Sequence, residues 1–150
     1  IGWLWDDRNS TWCSRDAITG RFSGYVTSAS FLSFYAGLRD STRDAAMLGH
    51  AARVSDCVRY MMPSLDPDDS GFQMIRYWRG PVWAVVNWMI GTGLADAGHI
   101  ELAARMRDDT LTLIATTGFY EAFSPIDGTG SGGSDFSWTA AIWLSWSATA

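Results

Sequence analysis

The carboxylate best placed to do chemistry is Glu121, which lies in the short run Phe-Tyr-Glu-Ala-Phe between Phe119 and Phe123. The surrounding segment carries few other charges, and neighbouring aromatic rings exclude competing water from a carboxylate. A shielded carboxylate can take a proton from water or give one to a leaving group, so Glu121 is a candidate general base or acid. The residues alone leave a second interpretation open, a glutamate in a solvated loop.

A second concentration of useful groups is the run RYWRGPVWAVVNW at residues 76–88. The pattern predicts that Pro81 is the first residue of a helix, where its missing N–H costs nothing. Trp83 and Asn87 are four positions apart and therefore share a helix face. An indole and an amide could form a pocket wall for a sugar, but core packing explains them equally well, and Asn87 could instead bond a neighbouring helix.

Composition limits the class of protein. The chain has 150 residues, of which 47% are hydrophobic, so one globular domain is expected. The net charge of −5 disfavours a nucleic-acid partner, because phosphate binding needs clustered Lys and Arg. The longest apolar run, residues 81–90, is too short to span a membrane. Nine tryptophans favour either a carbohydrate or cation site or an aromatic core.

The chain is predicted to be all-α, with an N-terminal region (residues 1–24) of loops and short hairpins. The helix at 81–98 is apolar on almost every side, which indicates burial, whereas the helix at 99–118 is amphipathic. Gly118 is its predicted C-cap. The other helices are predicted at 28–38, 41–61 and 136–148, with caps at Ser41 or Thr42 and at Asp135 or Ser137. The stripe expected to line the buried face of the amphipathic helix is Ile100, Ala103, Ala104, Leu111 and Ile114.

A buried helix followed directly by an amphipathic one predicts a helical hairpin with an inner and an outer member. Such hairpins, repeated in a ring, form an α/α toroid around a central cavity. The glycine-rich loop at 119–135 would then lie at one end of the helices, where it could approach a substrate closely.

Three motifs carry a family resemblance: YWRGPVW with Asn87 four residues later, GFYEAFSPIDGTGSGGSDFSWTAA, and the earlier LWDDRNSTWCSRDAITG. Together they resemble the C-terminal signature of the inverting α-glycosidases of glycoside hydrolase family 63. Within that family they are most similar to the bacterial mannosylglycerate and glucosylglycerate hydrolases. The resemblance extends over essentially all 150 residues.

The resemblance implies that residues 1–150 are the C-terminal part of a single (α/α)6 catalytic domain. It also implies that Glu121 is the catalytic base and that the aromatic residues Tyr77, Trp78 and Trp83 line the sugar subsite. Arg79 matches the same block and could serve a helix end or a carboxylate. Trp138 is a further candidate wall of the site.

One departure from the family pattern is that the second carboxyl group of the inverting mechanism is missing. That mechanism needs an acid and a base about 6.5–9.5 Å apart. The family's acid is an aspartate upstream of the matched region, and Asp6 and Asp7 resemble a structural pair instead. We therefore expect the isolated chain to be inactive and to depend on the remainder of the toroid, and its exposed apolar faces predict oligomerisation or aggregation.

No cofactor and no metal are predicted. His50 and His99 have no partners at ligand spacing, and the acidic loops at 66–71 and 127–135 do not match a calcium-binding order. Cys13 and Cys57 are expected to be reduced and structural in a cytoplasmic protein.

The predicted function is hydrolysis of a small α-glucosyl or α-mannosyl compound, glucosylglycerate or mannosylglycerate above others. Three alternatives remain open from the sequence: an α-glucosidase acting on oligosaccharides, a non-catalytic sugar-binding helical module, and a structural role for the tryptophans as toroid core.

Overall fold

A computed structural model describes residues 2–148 and shows a helical protein with two small β-hairpins. Ile1, Thr149 and Ala150 lie outside the described part, and the predicted domain bounds of 1–150 stay a prediction. The α-helices are α1 (Leu32–Tyr35), α2 (Ser41–Cys57), α3 (Ala84–Asp96), α4 (Ile100–Thr117) and α5 (Ser137–Ser147). The strands are β1 (Trp5–Asp6), β2 (Thr11–Trp12), β3 (Ala122–Phe123) and β4 (Gly130–Ser131). Single 3-10 turns occupy Gly2–Leu4, Ser28–Phe31 and Tyr77–Arg79.

Helix α3 is the central element, because α1, α4 and α5 all pack against it. Its sequence has few polar residues, and Ile90 and Leu94 are completely buried. One core lies where α2 and α3 meet the N-terminal hairpin, around Phe31, Phe34, Met47, Val54 and Trp12. The other lies among α3, α4, α5 and the second hairpin, around Tyr60, Val82, Leu113, Phe123 and Trp146. The predicted buried helix followed by an amphipathic partner is confirmed.

The prediction that Pro81 begins the buried helix is wrong, because α3 starts at Ala84 with Trp83 as its N-cap. The cause is a contact with a distant segment. Val82 N–H donates to Phe123 O at 2.7 Å, and Phe123 N–H donates to Val82 O at 2.9 Å. This pairing holds residues 81–82 in an extended conformation and delays the helix.

The helix caps also differ from expectation. Helix α2 begins at Ser41, but its N-cap is Asp40, whose Oδ1 accepts from Thr42 N–H and Arg43 N–H, both at 3.1 Å. Phe136 is the N-cap of α5, so neither Asp135 nor Ser137 fills that role.

Helix α4 ends at the predicted C-cap, Gly118, but the predicted stripe is partly wrong. Ile100 is 61% exposed, whereas Met106 and Thr110 are completely buried. One position before Ile100, the half-buried His99 packs its ring edge-on against Phe34, with centroids 5.6 Å apart. The buried members are Ala103, Met106, Thr110, Leu113 and Ile114.

The N-terminal region forms the predicted hairpin, with β1 and β2 antiparallel and Trp5 opposite Trp12. The two rings meet edge-on with centroids 5.2 Å apart. The Arg43 guanidinium of α2 lies over both rings, at 5.3 and 5.2 Å, and so ties the hairpin to the helix by cation–π attraction. Among residues 2–148, no helix is both long enough and apolar enough to cross a membrane.

The loop that leads to the aromatic block is held by an ion pair. Arg53 of α2 bonds Asp66, which is largely buried, and Asp68, whose side chain is 64% exposed. Burial alone would raise the pKa of the Asp66 carboxyl. Hydrogen bonds from Arg53 and Asp68 N–H, with the positive charge of Arg53, outweigh burial and hold that pKa below its ordinary value.

We predict that Asp66→Asn lowers the free energy of unfolding by about 1–2 kcal/mol at neutral pH, since the pair is only partly screened by solvent. A carboxyl whose folded-state pKa is depressed stabilises the fold above its ordinary pKa of 3.8. That stabilisation is lost as the pH falls through the lower, folded-state value. Urea unfolding across this acidic range measures both effects.

The matched control is Asp68→Asn, because Asp68 bonds the same arginine from an exposed position. Its effect should stay within about 0.5 kcal/mol. Equal losses in the two variants, or a difference from wild type that does not change with pH, would contradict the assignment.

Candidate active site

Glu121 lies immediately before β3 on the hairpin that follows α4. Strands β3 and β4 are antiparallel, with Ala122 opposite Ser131. The turn between them is closed by Ser124, whose N–H donates to Thr129 O at 2.8 Å. Asp127 accepts from Thr129 N–H at 3.0 Å, and this hydrogen bond lowers the pKa of Asp127. The hairpin is therefore fixed by local backbone bonds.

Gly130 in β4 and Gly132 just after it allow the segment that carries Glu121 to lie close to β4. A Cβ at Gly130 would lie 2.8 Å from Tyr120 Cδ1, and one at Gly132 would lie 2.8 Å from Glu121 Cβ. Both separations are too short for real atoms. Gly132 also has φ +76°, a conformation that favours glycine. Because these two positions are glycines, Tyr120 and Glu121 can pack directly against the backbone of residues 130 and 132.

The Glu121 side chain is half-buried, and its carboxylate accepts no hydrogen bond and forms no ion pair within residues 2–148. Its backbone, by contrast, is fixed, because Glu121 N–H donates to Gly133 O at 2.9 Å. A held backbone with an unengaged carboxylate leaves the carboxylate oxygens available to an external proton donor such as water.

Three aromatic residues form a stack at the start of α3. The Trp78 and Trp83 rings are parallel, with centroids 4.2 Å apart and planes 9° apart. Tyr77 meets Trp83 edge-on at 5.3 Å, and Trp83 Nε1 donates to Tyr77 O at 3.3 Å. Trp83 is 5% exposed, whereas Trp78 and Tyr77 are 45% and 64% exposed. The ring surface that is open to solvent therefore belongs to Trp78 and Tyr77, and the buried Trp83 ring packs against both.

The Val82–Phe123 backbone pair joins this stack to the hairpin that carries Glu121. Trp83 directly follows Val82, and Glu121 lies two residues before Phe123. The aromatic block and the Phe-Tyr-Glu motif, distant in sequence, are thus adjacent in space. The structure brings together the two motifs that the sequence singled out separately.

Arg79 and Trp78 line a cavity of about 260 Å³ together with Tyr25, Asp69 and Gly71. The Arg79 side chain is exposed and forms no ion pair with any residue of the described chain. Tyr25 and Asp69 were not predicted from the sequence, because only the folded loops bring them beside Trp78. The larger concave surfaces, of about 480 and 540 Å³, lie along the N-terminal hairpin, and their described linings include none of the predicted site residues.

Asn87 belongs to the core, which decides between the two interpretations left open by the sequence. It is completely buried, and its Nδ2 donates to Met61 O at 2.7 Å and to Thr110 Oγ1 at 2.8 Å. Its Oδ1 accepts from Met62 N–H at 3.1 Å. With these three bonds the amide links α3 to the backbone of residues 61–62 and to α4.

Trp138 lies in the first turn of α5 and is 60% exposed, with its ring 5.7 Å from that of Phe136. The structure therefore leaves Trp138 accessible to a ligand. In the described residues, no three His, Cys, Asp or Glu side chains are grouped so as to hold a metal ion. Cys13 is buried, Cys57 is exposed, and both are free thiols.

Comparison with known proteins gives a match of residues 1–139 to the mannosylglycerate hydrolase MGH1-like glycoside hydrolase domain. Mannosylglycerate hydrolase MGH1 of Selaginella moellendorffii is 42% identical over 95% of the chain, which spans 29% of that protein. Mannosylglycerate hydrolase of Thermus thermophilus is also 42% identical over 95% of the chain, and the chain spans 34% of it. Glucosylglycerate hydrolase of Mycolicibacterium hassiacum is 30% identical over 94% of the chain, which spans 33% of it.

Solved structures agree with these matches. A family 63 mannosylglycerate hydrolase from Thermus thermophilus, crystallised with glucose, superposes with a TM-score of 0.93 at 42% identity over 96% of this chain. The same hydrolase has been crystallised with Tris and D-glycerate. This chain covers 36% of the glucose-bound structure, so it has the fold of one portion of that protein. The predicted family resemblance and helical fold class are confirmed.

We predict that Gly132→Ala lowers the free energy of unfolding by about 1–2 kcal/mol, because alanine at a positive φ is strained and its Cβ would overlap Glu121. Gly133→Ala is the matched control. A Cβ at Gly133 meets no atom within 4 Å, so that variant should be close to neutral. Urea unfolding compares them, and equal effects at the two glycines would contradict the described packing of Glu121 on Gly132.

Proposed function

The chain belongs to the mannosylglycerate hydrolase MGH1-like glycoside hydrolase family, and we propose that it forms the base-bearing part of an inverting α-glycosidase. The observation that carries this proposal is the unengaged Glu121 carboxylate, on a hairpin whose backbone pairs directly with the segment of the Trp78–Trp83 stack. Family membership supports glycoside hydrolysis as the reaction, and this geometry supports Glu121 as the base and the stack as the aromatic platform.

In the proposed reaction, Glu121 takes a proton from a water molecule as the water oxygen forms a bond to the anomeric carbon. The bond from that carbon to the glycosidic oxygen breaks, and a carboxylic acid on the opposite side gives its proton to the departing oxygen. The two carboxyl groups must stand about 6.5–9.5 Å apart to leave room for the water. One displacement inverts the anomeric configuration.

The aromatic stack would hold the sugar. Trp78 presents an open indole face, and a sugar ring can lie on it with its apolar C–H surface. The Tyr77 ring lies 5.9 Å from the Trp78 ring, and the exposed Trp138 is proposed as a further wall of the site. Trp83 keeps Trp78 in place through ring stacking and its own hydrogen bond to Tyr77 O.

The proposed substrates are mannosylglycerate and glucosylglycerate. Three compared relatives carry these substrates in their names, and one related structure contains D-glycerate. Glycerate brings a carboxylate, and the unpaired Arg79 guanidinium beside Trp78 is suited to bind one. An oligosaccharide aglycone would leave that cation without a partner.

The remaining helices and the general acid would come from a further segment, on the same polypeptide or on a second chain. The chain spans about a third of the curated relatives it matches, which supports this division. This chain together with that segment would form the assembled hydrolase. The isolated chain is expected to show no turnover.

The test is Glu121→Gln in the assembled hydrolase, with mannosylglycerate and glucosylglycerate as substrates. Loss of a general base should lower kcat by roughly 10²–10⁴-fold, while glycoside binding measured by calorimetry persists. The matched control is Glu101→Gln, since Glu101 is the other glutamate of the chain and is exposed on α4. Its kcat should equal that of wild type.

Two results would contradict the proposal. If Glu121→Gln leaves kcat unchanged while wild type is active, Glu121 is not the base. If the wild-type assembled hydrolase binds the glycosides without hydrolysing them, the chain is part of a sugar-binding module.

A further inference from the structure

We propose that Thr139 is a positioning residue for the catalytic carboxylate of Glu121, an inference that rests on the proposed function. Thr139 lies in the first turn of α5 and is 1% exposed. Its hydroxyl Oγ1 donates to Tyr120 O at 2.7 Å. The carbonyl that it binds belongs to the peptide unit whose nitrogen is that of Glu121.

This peptide unit is held at both of its polar ends. Thr139 binds the carbonyl oxygen, and the N–H of the same unit donates to Gly133 O at 2.9 Å. A planar peptide fixed at its oxygen and at its nitrogen cannot rotate about the chain axis. The direction of the Glu121 Cα–Cβ bond is thereby set, and with it the place from which the carboxylate extends.

Thr139 is itself well fixed. Phe136 N–H, at the N-cap of α5, donates to Phe119 O at 2.7 Å, so the start of α5 contacts the hairpin at a second point. Helix α5 packs against both α3 and α4. The β-branched side chain of threonine also has restricted χ1 freedom, which keeps the hydroxyl directed at Tyr120 O.

The direction of this hydroxyl differs from that of Thr110 and Thr116 in α4. Thr110 donates to Met106 O and Thr116 to Thr112 O, each four residues earlier in its own helix. Thr139 instead donates out of its helix to the base-bearing strand. Its bond therefore couples the packed helices to the segment that carries the reacting group.

The first measurement is steady-state kinetics of the assembled hydrolase with Thr139→Val and Thr139→Ser on mannosylglycerate. Valine keeps the branched shape and removes the hydroxyl, so kcat should fall roughly 10–100-fold with KM changed less than about twofold. Serine keeps the hydroxyl and should retain kcat within about threefold. If Thr139→Val does not fold, Thr139→Ala supplies the hydroxyl-free variant.

The second measurement separates positioning from general stability by a double-mutant cycle. In a Glu121→Gln background the base is already absent, so Thr139→Val should lower kcat no further. The matched control is Thr117→Val, because Thr117 Oγ1 donates to Gly128 O at 3.0 Å at the distal end of the same hairpin. Its kcat should stay within about threefold of wild type.

The possible outcomes are distinct. The inference is overturned if Thr139→Val keeps wild-type kcat, or if Thr139→Ser lowers kcat as much as Thr139→Val does. It is also overturned if Thr117→Val lowers kcat by as much as Thr139→Val. A double variant whose loss of kcat is the product of the Thr139→Val and Glu121→Gln losses would overturn it too. Any of these can occur while Glu121→Gln alone abolishes turnover, in which case only the role of Thr139 fails. Full turnover in Glu121→Gln would instead remove the proposed function itself.

Discussion

The pair of backbone hydrogen bonds between Val82 and Phe123 is the contact on which the rest of the site depends. It joins the aromatic segment to the hairpin that carries Glu121, although the two lie far apart in the sequence. Val82 and Phe123 are both completely buried, so water does not compete for these bonds. The same pairing keeps residues 81–82 extended and makes Trp83 the N-cap of α3.

The distribution of satisfied and unsatisfied polar groups separates scaffold from candidate site. In the scaffold, Asn87 makes three buried bonds, and Arg105 of α4 bonds Asp109 at 2.6 Å and Arg59 O at 3.1 Å. In the described part of the site, Glu121 and Arg79 engage no partner through their charged groups. Binding and proton transfer both require charged groups that are available to a ligand and a backbone that holds those groups in place.

Local signals in the sequence predicted the elements that depend only on nearby residues. Helix α4 and its C-cap at Gly118 follow from hydrophobic periodicity and a single glycine, and the structure confirms both. Predictions failed where a distant segment decides the outcome. The local sequence around Pro81 indicates a helix start because nothing in it indicates the pairing of Val82 with Phe123. The exposure of Ile100 depends on which face of α4 packs against α3. Asn87 could be assigned to the core only once the backbone of residues 61–62 lay beside it.

The site itself was predictable in composition but not in arrangement. Glu121 stood out because a lone carboxylate among aromatic rings is unusual, and the Tyr-Trp-Arg block stood out for its density. Nothing local indicated that Trp83 would lie beneath Trp78 or that a hydroxyl of α5 would bind the peptide of Glu121. The central claim, that Glu121 activates water for a single displacement, is tested most directly by ¹H NMR of the sugar first released from an α-glycoside by the assembled hydrolase. The proposed single displacement predicts that the β-anomer appears first and equilibrates later, whereas initial release of the α-anomer would contradict it.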